Sequence, residues 1–176
     1  MKIFAFSGSN SSTSINKKLV SYAASLFANA TVDLASMADF DMPLFGVDLE
    51  KEIGQHPVAR QFLDRIAAAD IVLASLPENN GSYPAAFKNV FDWASRIDVK
   101  VFQDKPMLLM ATSPGKRGGK SVLEHAQSNL VRYGADIRAV FSLPQFNENF
   151  DTGRNVISNA EFDRELQKII AEFSIS

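Results

Sequence analysis

Groups that can bind an anion are concentrated in a short polar loop near the amino terminus. The apolar segment Lys2–Ser7 precedes residues 8–16, the first loop, which is dominated by Ser, Asn and Gly. Apolar residues recur at helical spacing after this loop, which predicts a strand, a loop and a helix. A loop that enters a helix gathers unpaired backbone N–H groups at the positive end of the helix dipole, where phosphate binds favourably. Hydroxyl groups add further donors at Ser9, Ser11, Ser12, Thr13 and Ser14.

The residues absent from the first loop restrict which phosphate it can bind. Triphosphates normally meet a Gly-Lys-Ser/Thr sequence, and dinucleotides meet a three-glycine fingerprint. Neither pattern occurs, because Lys17 and Lys18 follow the loop and Gly8 is the only glycine before residue 46. A monophosphate held by hydroxyls and backbone amides therefore fits best. On this stretch alone, an ordinary Ser-rich turn that only caps the helix explains the pattern equally well.

Length and composition exclude several classes of protein. The chain has 176 residues and is predicted to form a single domain over residues 1–176 with a full hydrophobic core. A net charge of −2 and the lack of a basic run argue against nucleic-acid binding. Cysteine is absent, which excludes disulfides, thiolate metal sites and cysteine nucleophiles. The first apolar segment is too short for a signal peptide or a membrane span, so we expect a cytoplasmic protein.

Five apolar segments have the length and residue types of β-strands. They are Lys2–Ser7, Ala30–Ala35, Asp70–Leu76, Pro106–Thr112 and Asp136–Phe141. The third is almost continuously apolar, as expected for a parallel strand that is covered on both faces. Helical patterns alternate with these segments, which predicts an α/β fold with a parallel sheet and helices on both of its faces.

Cap residues and apolar spacing mark the helices between the predicted strands. The first helix follows the first loop, and the next two begin at Pro57 and Pro84, since proline suits the first turn of a helix. A fourth helix is predicted from about Lys120 to Tyr133, and a fifth begins at Ser158 in capping-box spacing. Residues 36–55 are predicted to be a long irregular segment that covers a ligand, contacts a partner chain or is simply pinned to the core.

Three polar loops are predicted to meet at one edge of the sheet. They are the first loop, the second loop (residues 77–83) and the third loop (residues 113–119), which follow the first, third and fourth strands. In a sheet of order 2-1-3-4-5 these three strands are adjacent, and ligands bind at the switch point between the first and third strands. We therefore expect a ligand crevice to which all three loops contribute.

The same loops carry motifs that resemble those of the NADPH-dependent FMN reductase family of flavodoxin-like proteins. The motifs are Gly8-Ser9 with Ser14-Ile15-Asn16, Pro77–Pro84 with Phe87–Asn89 and Asp92-Trp93, and Ser113–Gly115 with Gly118-Gly119. The resemblance extends from Met1 to about Phe141. It implies a flavodoxin-like three-layer sandwich that binds FMN, uses NADPH or NADH as co-substrate and reduces a quinone, a free flavin or another small acceptor.

The resemblance also implies which residues hold the flavin. Ser9, Ser14 and Asn16, with backbone amides about Ile15, would take the phosphate. The flavin ring would lie between the second and third loops, against Pro77, Glu78, Asn79, Asn80, Ser113, Gly115 and Gly118. The flavin carries the redox chemistry in such enzymes, so we expect neither a catalytic side chain nor a metal site.

Two positions depart from the family pattern. The family commonly has Arg where this chain has Ser11, and often has Tyr where Asn79 stands. Such an Arg can contact the phosphates of the flavin or of the nicotinamide nucleotide, so the first change argues against tight binding of NADPH. The second removes an aromatic contact near the flavin, which Tyr83 or a residue of a second subunit would have to replace.

Two other functions remain open from the sequence. A flavodoxin-type electron carrier is disfavoured because such carriers are usually strongly acidic and hold the flavin between aromatic residues. The second open function is that of a binding or regulatory module that keeps the fold but binds no flavin. A response-regulator receiver is excluded, because the first and third strands do not end in the acidic residues that it needs to bind magnesium.

The resemblance further suggests a homodimer, or a dimer of dimers, with residues 37–45 and Pro84–Arg96 as candidate contact surfaces.

Overall fold

Five parallel strands form the central sheet of the computed structural model, which describes residues 1–173. The strands are β1 (Lys2–Ser7), β2 (Thr31–Ser36), β3 (Ile71–Ser75), β4 (Lys105–Thr112) and β5 (Ala135–Leu143). They lie in the order β2-β1-β3-β4-β5, so the predicted fold class and strand order are confirmed. A short antiparallel pair, β6 (Phe150–Asp151) and β7 (Val156–Ile157), follows the sheet.

Helices cover both faces of the sheet. They are α1 (Ile15–Ser25), α2 (Val47–Ile53), α3 (Pro57–Ala68), α4 (Ala85–Ser95), α5 (Lys120–Leu130), α6 (Phe146–Asn149) and α7 (Ala160–Phe173). Single 3₁₀ turns form at Met37–Asp39 and Val131–Tyr133. Helices α3, α4 and α5 contribute to the core on one face, and α1 and α7 to the core on the other.

Strand alternation divides the buried side chains between the two cores. On β1, Phe4 and Phe6 lie on the side of α3 and α4, whereas Ile3 and Ala5 lie on the side of α1 and α7. This follows from the pleat, which points successive side chains to opposite faces. All five residues of β3 are buried, as its apolar sequence predicted for a central strand. The strand ends that carry the three loops are therefore fixed by packing on both sides.

The structure differs from the predicted elements at three places. Residues 36–55 are not wholly irregular, because they contain a 3₁₀ turn and α2. Helix α2 buries no residue, and its sequence accordingly lacks the apolar stripe from which a helix is predicted. The predicted Ser158 cap is wrong, since the Asn159 Oδ1 atom accepts the N–H of Glu161 at 3.0 Å and α7 begins after it. Helix α5 ends at Leu130, and its 3₁₀ extension stops at Gly134, whose φ is 80°.

Candidate cofactor site

The three polar loops line one open crevice of about 290 Å³ at the carboxyl edge of the sheet, close to the lower end of the size range of small-molecule sites. Its lining residues are Ser9, Ser11, Thr13, Ser14, Ile15, Asn16, Pro77, Glu78, Asn79, Thr112, Ser113 and Pro114. The first, second and third loops thus meet as the strand order predicted. Eight of the predicted site residues lie in this lining, and Asn80, Gly115 and Gly118 do not.

Asn16 ties the start of α1 to the ends of two strands. Its side chain is buried, and the Oδ1 atom accepts hydrogen bonds from the Ser75 hydroxyl at 2.8 Å and from the backbone N–H of Thr112 at 3.1 Å. Its Nδ2 donates to the Thr112 carbonyl at 3.1 Å. Both acceptor lone pairs are therefore in use, and the side chain acts as a clamp between α1, β3 and β4. What Asn16 offers to a ligand is chiefly its backbone N–H.

Backbone donors remain at the start of α1. Ile15 and Asn16 occupy the first two helical positions, where the N–H groups have no carbonyl partner within the helix. Ser14 caps the next donor, because its Oγ accepts the N–H of Lys17 at 3.1 Å. The N–H groups of Ile15 and Asn16 donate to no other residue within the described range, 1–173. Two unpaired donors of this kind at one end of the crevice are suited to an anion.

Hydroxyl groups preorganise the first loop. The Oγ atoms of Ser7 and Ser14 lie 3.2 Å apart, and both residues are buried. The N–H of Ser9 donates to the Ser7 Oγ at 3.2 Å, and the Ser9 Oγ accepts the N–H of Ser11 at 3.1 Å. Because the Ser9 hydroxyl only accepts in this network, its own proton is available to a ligand.

Gly8 allows the first two loops to approach each other. A Cβ atom at this position would lie 2.8 Å from Cδ2 of Leu76 and 3.4 Å from Cδ of Pro77. The N–H of Gly8 also donates to the Ser75 carbonyl at 2.9 Å, which continues the pairing of β1 with β3. The close approach of the first loop to the end of β3 therefore depends on the missing side chain.

Glu78 connects the second loop to α5. Its Oε2 accepts the backbone N–H groups of Ser121 and Val122 at 3.0 and 3.2 Å, so it caps a helix whose own N-cap residue, Gly119, has no side chain. The carboxylate was predicted as a cofactor contact from sequence, and the structure shows its role within the protein. It holds the two loops that border the crevice at a set distance from each other.

A tight turn ends the second loop. Asn79 and Ser82 exchange backbone hydrogen bonds of 2.8 and 3.1 Å, and Asn80 and Gly81 between them have φ values of 53° and 80°. Two successive positive φ angles are typical of the type I′ turn, for which Asn-Gly is the preferred pair. The exposed Asn80 therefore shapes the turn that presents Asn79 to the crevice.

Gly115 and Gly118 of the third loop lie at the solvent and against the chain at the end of β5, respectively. A Cβ on Gly118 would collide with the Ser142 Oγ and lie 2.9 Å from the Pro144 nitrogen, and its φ is 57°. Gly115 is exposed, and its carbonyl accepts the N–H of Gln145 at 3.0 Å. Gly118 thus allows close packing of the loop on the chain after β5, while Ser113 is the member of this loop that reaches the crevice together with Pro114.

Tyr83 does not supply the aromatic contact that Asn79 lacks. Its ring packs between Phe87 and His125, with centroid distances of 5.2 and 4.9 Å, and its hydroxyl accepts Nδ2 of Asn129 at 2.7 Å. Burial raises the pKa of the Tyr83 hydroxyl. No aromatic side chain lies in the lining of the crevice.

The rest of the second motif holds the chain after β2. Trp93 is buried and its Nε1 donates to the Pro43 carbonyl at 2.8 Å. Asn89 donates to the same carbonyl at 3.1 Å and accepts the N–H of Phe45 at 2.8 Å. Sequence reasoning missed this function of Asn89, because nothing in a lone Asn on a helix shows which loop it will contact. Together these two side chains fix residues 42–45 against α4.

A larger cavity of about 380 Å³ lies beside this segment, between Asn10, the chain after β2 and α4. Its lining includes no residue of the second or third loop and none of residues 11–16, so it lies apart from the backbone N–H groups of Ile15 and Asn16. The smaller crevice is therefore the better candidate for a phosphate-bearing ligand.

Within residues 1–173, no group of three or more His, Asp or Glu side chains is placed to hold a metal ion. None of the helices in that range is both long and apolar enough to span a bilayer.

Comparison with known proteins identifies the family. The sequence profile of the NADPH-dependent FMN reductases matches residues 1–148, which include all three loops. The chain belongs to this family. Family membership confirms the predicted enzyme class and the dependence on FMN and NAD(P)H.

Individual relatives agree with this assignment. An NAD(P)H-dependent FMN reductase of Pseudomonas aeruginosa is 32% identical over 132 residues, which cover 74% of this chain and 70% of the relative. An NADPH:quinone oxidoreductase of Arabidopsis thaliana is 31% identical and covers 97% of this chain and 89% of its own. Among solved structures, FerB, a flavoenzyme NAD(P)H:acceptor oxidoreductase of Paracoccus denitrificans, is similar with a TM-score of 0.77 and 26% identity, over 98% of this chain and 94% of that one.

We predict that Asn16→Ala both destabilises the protein and weakens FMN binding. The change leaves the Ser75 hydroxyl and the backbone groups of Thr112 without partners, which costs about 2–4 kcal/mol. Loosening of the three loops should raise the Kd for FMN at least about tenfold. Urea unfolding and quenching of FMN fluorescence measure the two effects.

Asn129→Ala is the matched control, because it removes a hydrogen bond to Tyr83 outside the crevice. It should lower stability with little change in the Kd for FMN. Equal affinities of the two variants for FMN would contradict the role assigned to Asn16.

Proposed function

We propose that the protein binds FMN in the crevice and passes a hydride from NADPH or NADH through it to a small acceptor, such as a quinone or free flavin. The observation that carries this proposal is the meeting of three polar loops beside two unpaired backbone N–H groups, those of Ile15 and Asn16. Relatives that are named for FMN reduction and for quinone reduction support the choice of acceptors.

The phosphate end of the crevice fits a monoester. The N–H groups of Ile15 and Asn16 and the hydroxyls of Ser9 and Ser14 provide neutral donors, and no carboxylate lies in the first loop. Four neutral donors suit a single phosphate, whereas a triphosphate would call for a lysine and a metal ion. Ser11, at a position where the family pattern commonly has Arg, is therefore compatible with FMN.

The ring end is defined by the second and third loops. We propose that Pro77, Asn79 and Ser113 contact the flavin ring, since they line the crevice from two sides. Glu78, Asn80, Gly115 and Gly118 would act by shaping these two loops through the cap on α5, the type I′ turn and the packing on the chain after β5. The site is thus held in place before the cofactor enters, which reduces the entropy cost of binding.

The chain's own residues bind and orient the reactants. When bound, FMN supplies the redox chemistry by accepting a hydride from a nicotinamide and returning electrons to the acceptor. The lining contains no imidazole or ammonium group, and the hydrogen bonds from α5 engage the carboxylate of Glu78. We therefore propose that no side chain transfers a proton as an essential step and that the work of the protein is positioning. The open crevice suits acceptors of several shapes.

We also propose that the protein is cytoplasmic, where reduced nicotinamide nucleotides are available, and that it is a homodimer. Apolar side chains are exposed on and beside α2: Leu44 is 78% exposed, Val47 55% and Ile53 47%. Asn89 and Trp93 hold the chain before this helix in a fixed position, so the patch is presented on an ordered surface. We propose that these exposed side chains contribute to the contact between two protomers, because exposed apolar surface is typical of protein–protein contacts.

Ser9→Asp should abolish FMN binding at micromolar concentrations. Two like charges about 4 Å apart cost roughly 1 kcal/mol in water and about 4 kcal/mol at the effective dielectric near a protein surface. The measurement is an FMN titration followed by fluorescence, with Ser9→Ala as the control that removes one donor without adding charge. The alanine variant should lose only about threefold to tenfold in affinity. An unchanged Kd in Ser9→Asp would show that the phosphate lies elsewhere.

Leu44→Glu should produce monomers at concentrations at which the wild type is a dimer. A carboxylate in the centre of an apolar contact must be desolvated, which opposes association. Light scattering at micromolar concentration gives the mass of each protein. Val131→Glu, at an apolar residue that is 50% exposed after α5, should leave the dimer intact. A monomeric wild type would refute the homodimer.

A further inference from the structure

A second cavity of about 240 Å³ adjoins the first loop. It shares Ser14 with the crevice but extends along α1 towards β2 and the β6–β7 turn. Its lining residues are Ser12, Ser14, Lys17, Lys18, Ser21, Leu34 and Asn155. No Asp or Glu is among them, although the chain as a whole has a net charge of −2. The second cavity is therefore a locally positive region of the surface.

The two lysines of the second cavity have no partner in the protein. Lys17 and Lys18 lie in the first turn of α1 and are half-buried. Neither forms an ion pair with any residue between 1 and 173. Cations at a helix N-terminus are disfavoured by the helix dipole, and the first turn of α1 carries no acidic residue to offset them. Helix stability does not explain their position.

Neutral donors in the second cavity are also unused. The side chains of Ser12, Ser21 and Asn155 make no hydrogen bond to another part of the described chain. Asn155 is in the left-handed conformation, with φ of 56°, and comes from the turn between β6 and β7, far from α1 in sequence. Two lysines, two serines with unused hydroxyls and an asparagine with an unused amide thus line one cavity.

We propose that the second cavity binds the 2′-phosphate of NADPH and makes the enzyme prefer NADPH to NADH. This assignment rests on the proposed function, because it concerns the hydride donor of that reaction. A phosphate monoester carries up to two negative charges, which match two lysines, and it accepts hydrogen bonds from hydroxyl and amide groups. The shared wall at Ser14 places the cavity next to the crevice, where a donor nucleotide must lie.

Lys116 and Arg117 in the third loop are the alternative cations for this phosphate. Arg117 already donates to the Ser121 hydroxyl at 2.7 Å. Lys116 is exposed and, like Arg117, lines neither the crevice nor the second cavity. The geometry therefore favours Lys17 and Lys18.

The kinetic test compares NADPH and NADH in the FMN-loaded wild type and in Lys17→Met, Lys18→Met and the double variant. Charge-assisted hydrogen bonds are worth about 1.5–3 kcal/mol each, so the double variant should raise KM for NADPH at least about tenfold. Its kcat and its KM for NADH should stay within about twofold of wild type. Calorimetry with 2′,5′-ADP should show binding to the wild type and none to the double variant.

Two further variants sharpen the result. Lys168→Met removes an exposed lysine of α7 that lines neither cavity, and it should leave both nucleotides unaffected. If Lys116→Met alone removes the preference for NADPH, the assignment to the second cavity is wrong. It is also wrong if the wild type uses both nucleotides equally and does not bind 2′,5′-ADP. Binding of inorganic phosphate without 2′,5′-ADP would overturn the nucleotide assignment as well.

The proposed function can fail separately from this inference. Turnover of NADH with FMN shows that the reductase activity exists, whatever the result for NADPH. A wild type that does not bind FMN would refute the proposed function, while the calorimetric comparison with 2′,5′-ADP would still decide whether Lys17 and Lys18 bind a nucleotide phosphate.

Discussion

The carboxamide of Asn16 is the contact on which the candidate site depends. It is buried at the switch point of the sheet and bonds both to the Ser75 hydroxyl and to the backbone of Thr112. These residues end the two strands that precede the second and third loops, while Asn16 itself is the last residue of the first loop. One side chain therefore sets the relative positions of all three loops. A buried amide is costly unless its groups are paired, so this arrangement strongly favours a single geometry.

Other polar side chains around the crevice also hold loops in place, as Asn16 does. Glu78 caps α5, and Asn89 and Trp93 hold the chain after β2, so the polar side chains of the second motif mainly stabilise loops. The groups left for a ligand are backbone N–H groups, small hydroxyls and a few residues at the loop tips. Such groups are rigid once the loops are fixed, and they carry no charge that must be desolvated. This is the environment in which we propose that a monophosphate and a planar flavin bind.

The fold was predictable because its signals are local and repeated. Each strand of the sheet is a short apolar segment, and the polar loops after β1, β3 and β4 differ clearly from their surroundings. The convergence of the loops followed from strand order alone, and the lining of the crevice contains eight of the predicted residues. Helix α2 was missed because it buries no residue and so leaves no periodic pattern.

Side-chain roles were harder to predict than positions. The residue types of Asn16 and Glu78 suit a ligand as well as a helix terminus, and only the three-dimensional distances show which group each contacts. Gly118 illustrates the same limit, since a glycine in a polar loop is expected near a cofactor, whereas its missing side chain makes room for Ser142 and Pro144. The second cavity was invisible in the sequence because Asn155 joins Lys17 and Lys18 only through the β6–β7 turn.

The location of the FMN phosphate tests this account most directly. A crystal structure of the protein grown with excess FMN should show the phosphate within hydrogen-bonding distance of the backbone N–H groups of Ile15 and Asn16, with the ring between the second and third loops. A crevice that holds only water under those conditions, or a phosphate bound away from these two N–H groups, would contradict it.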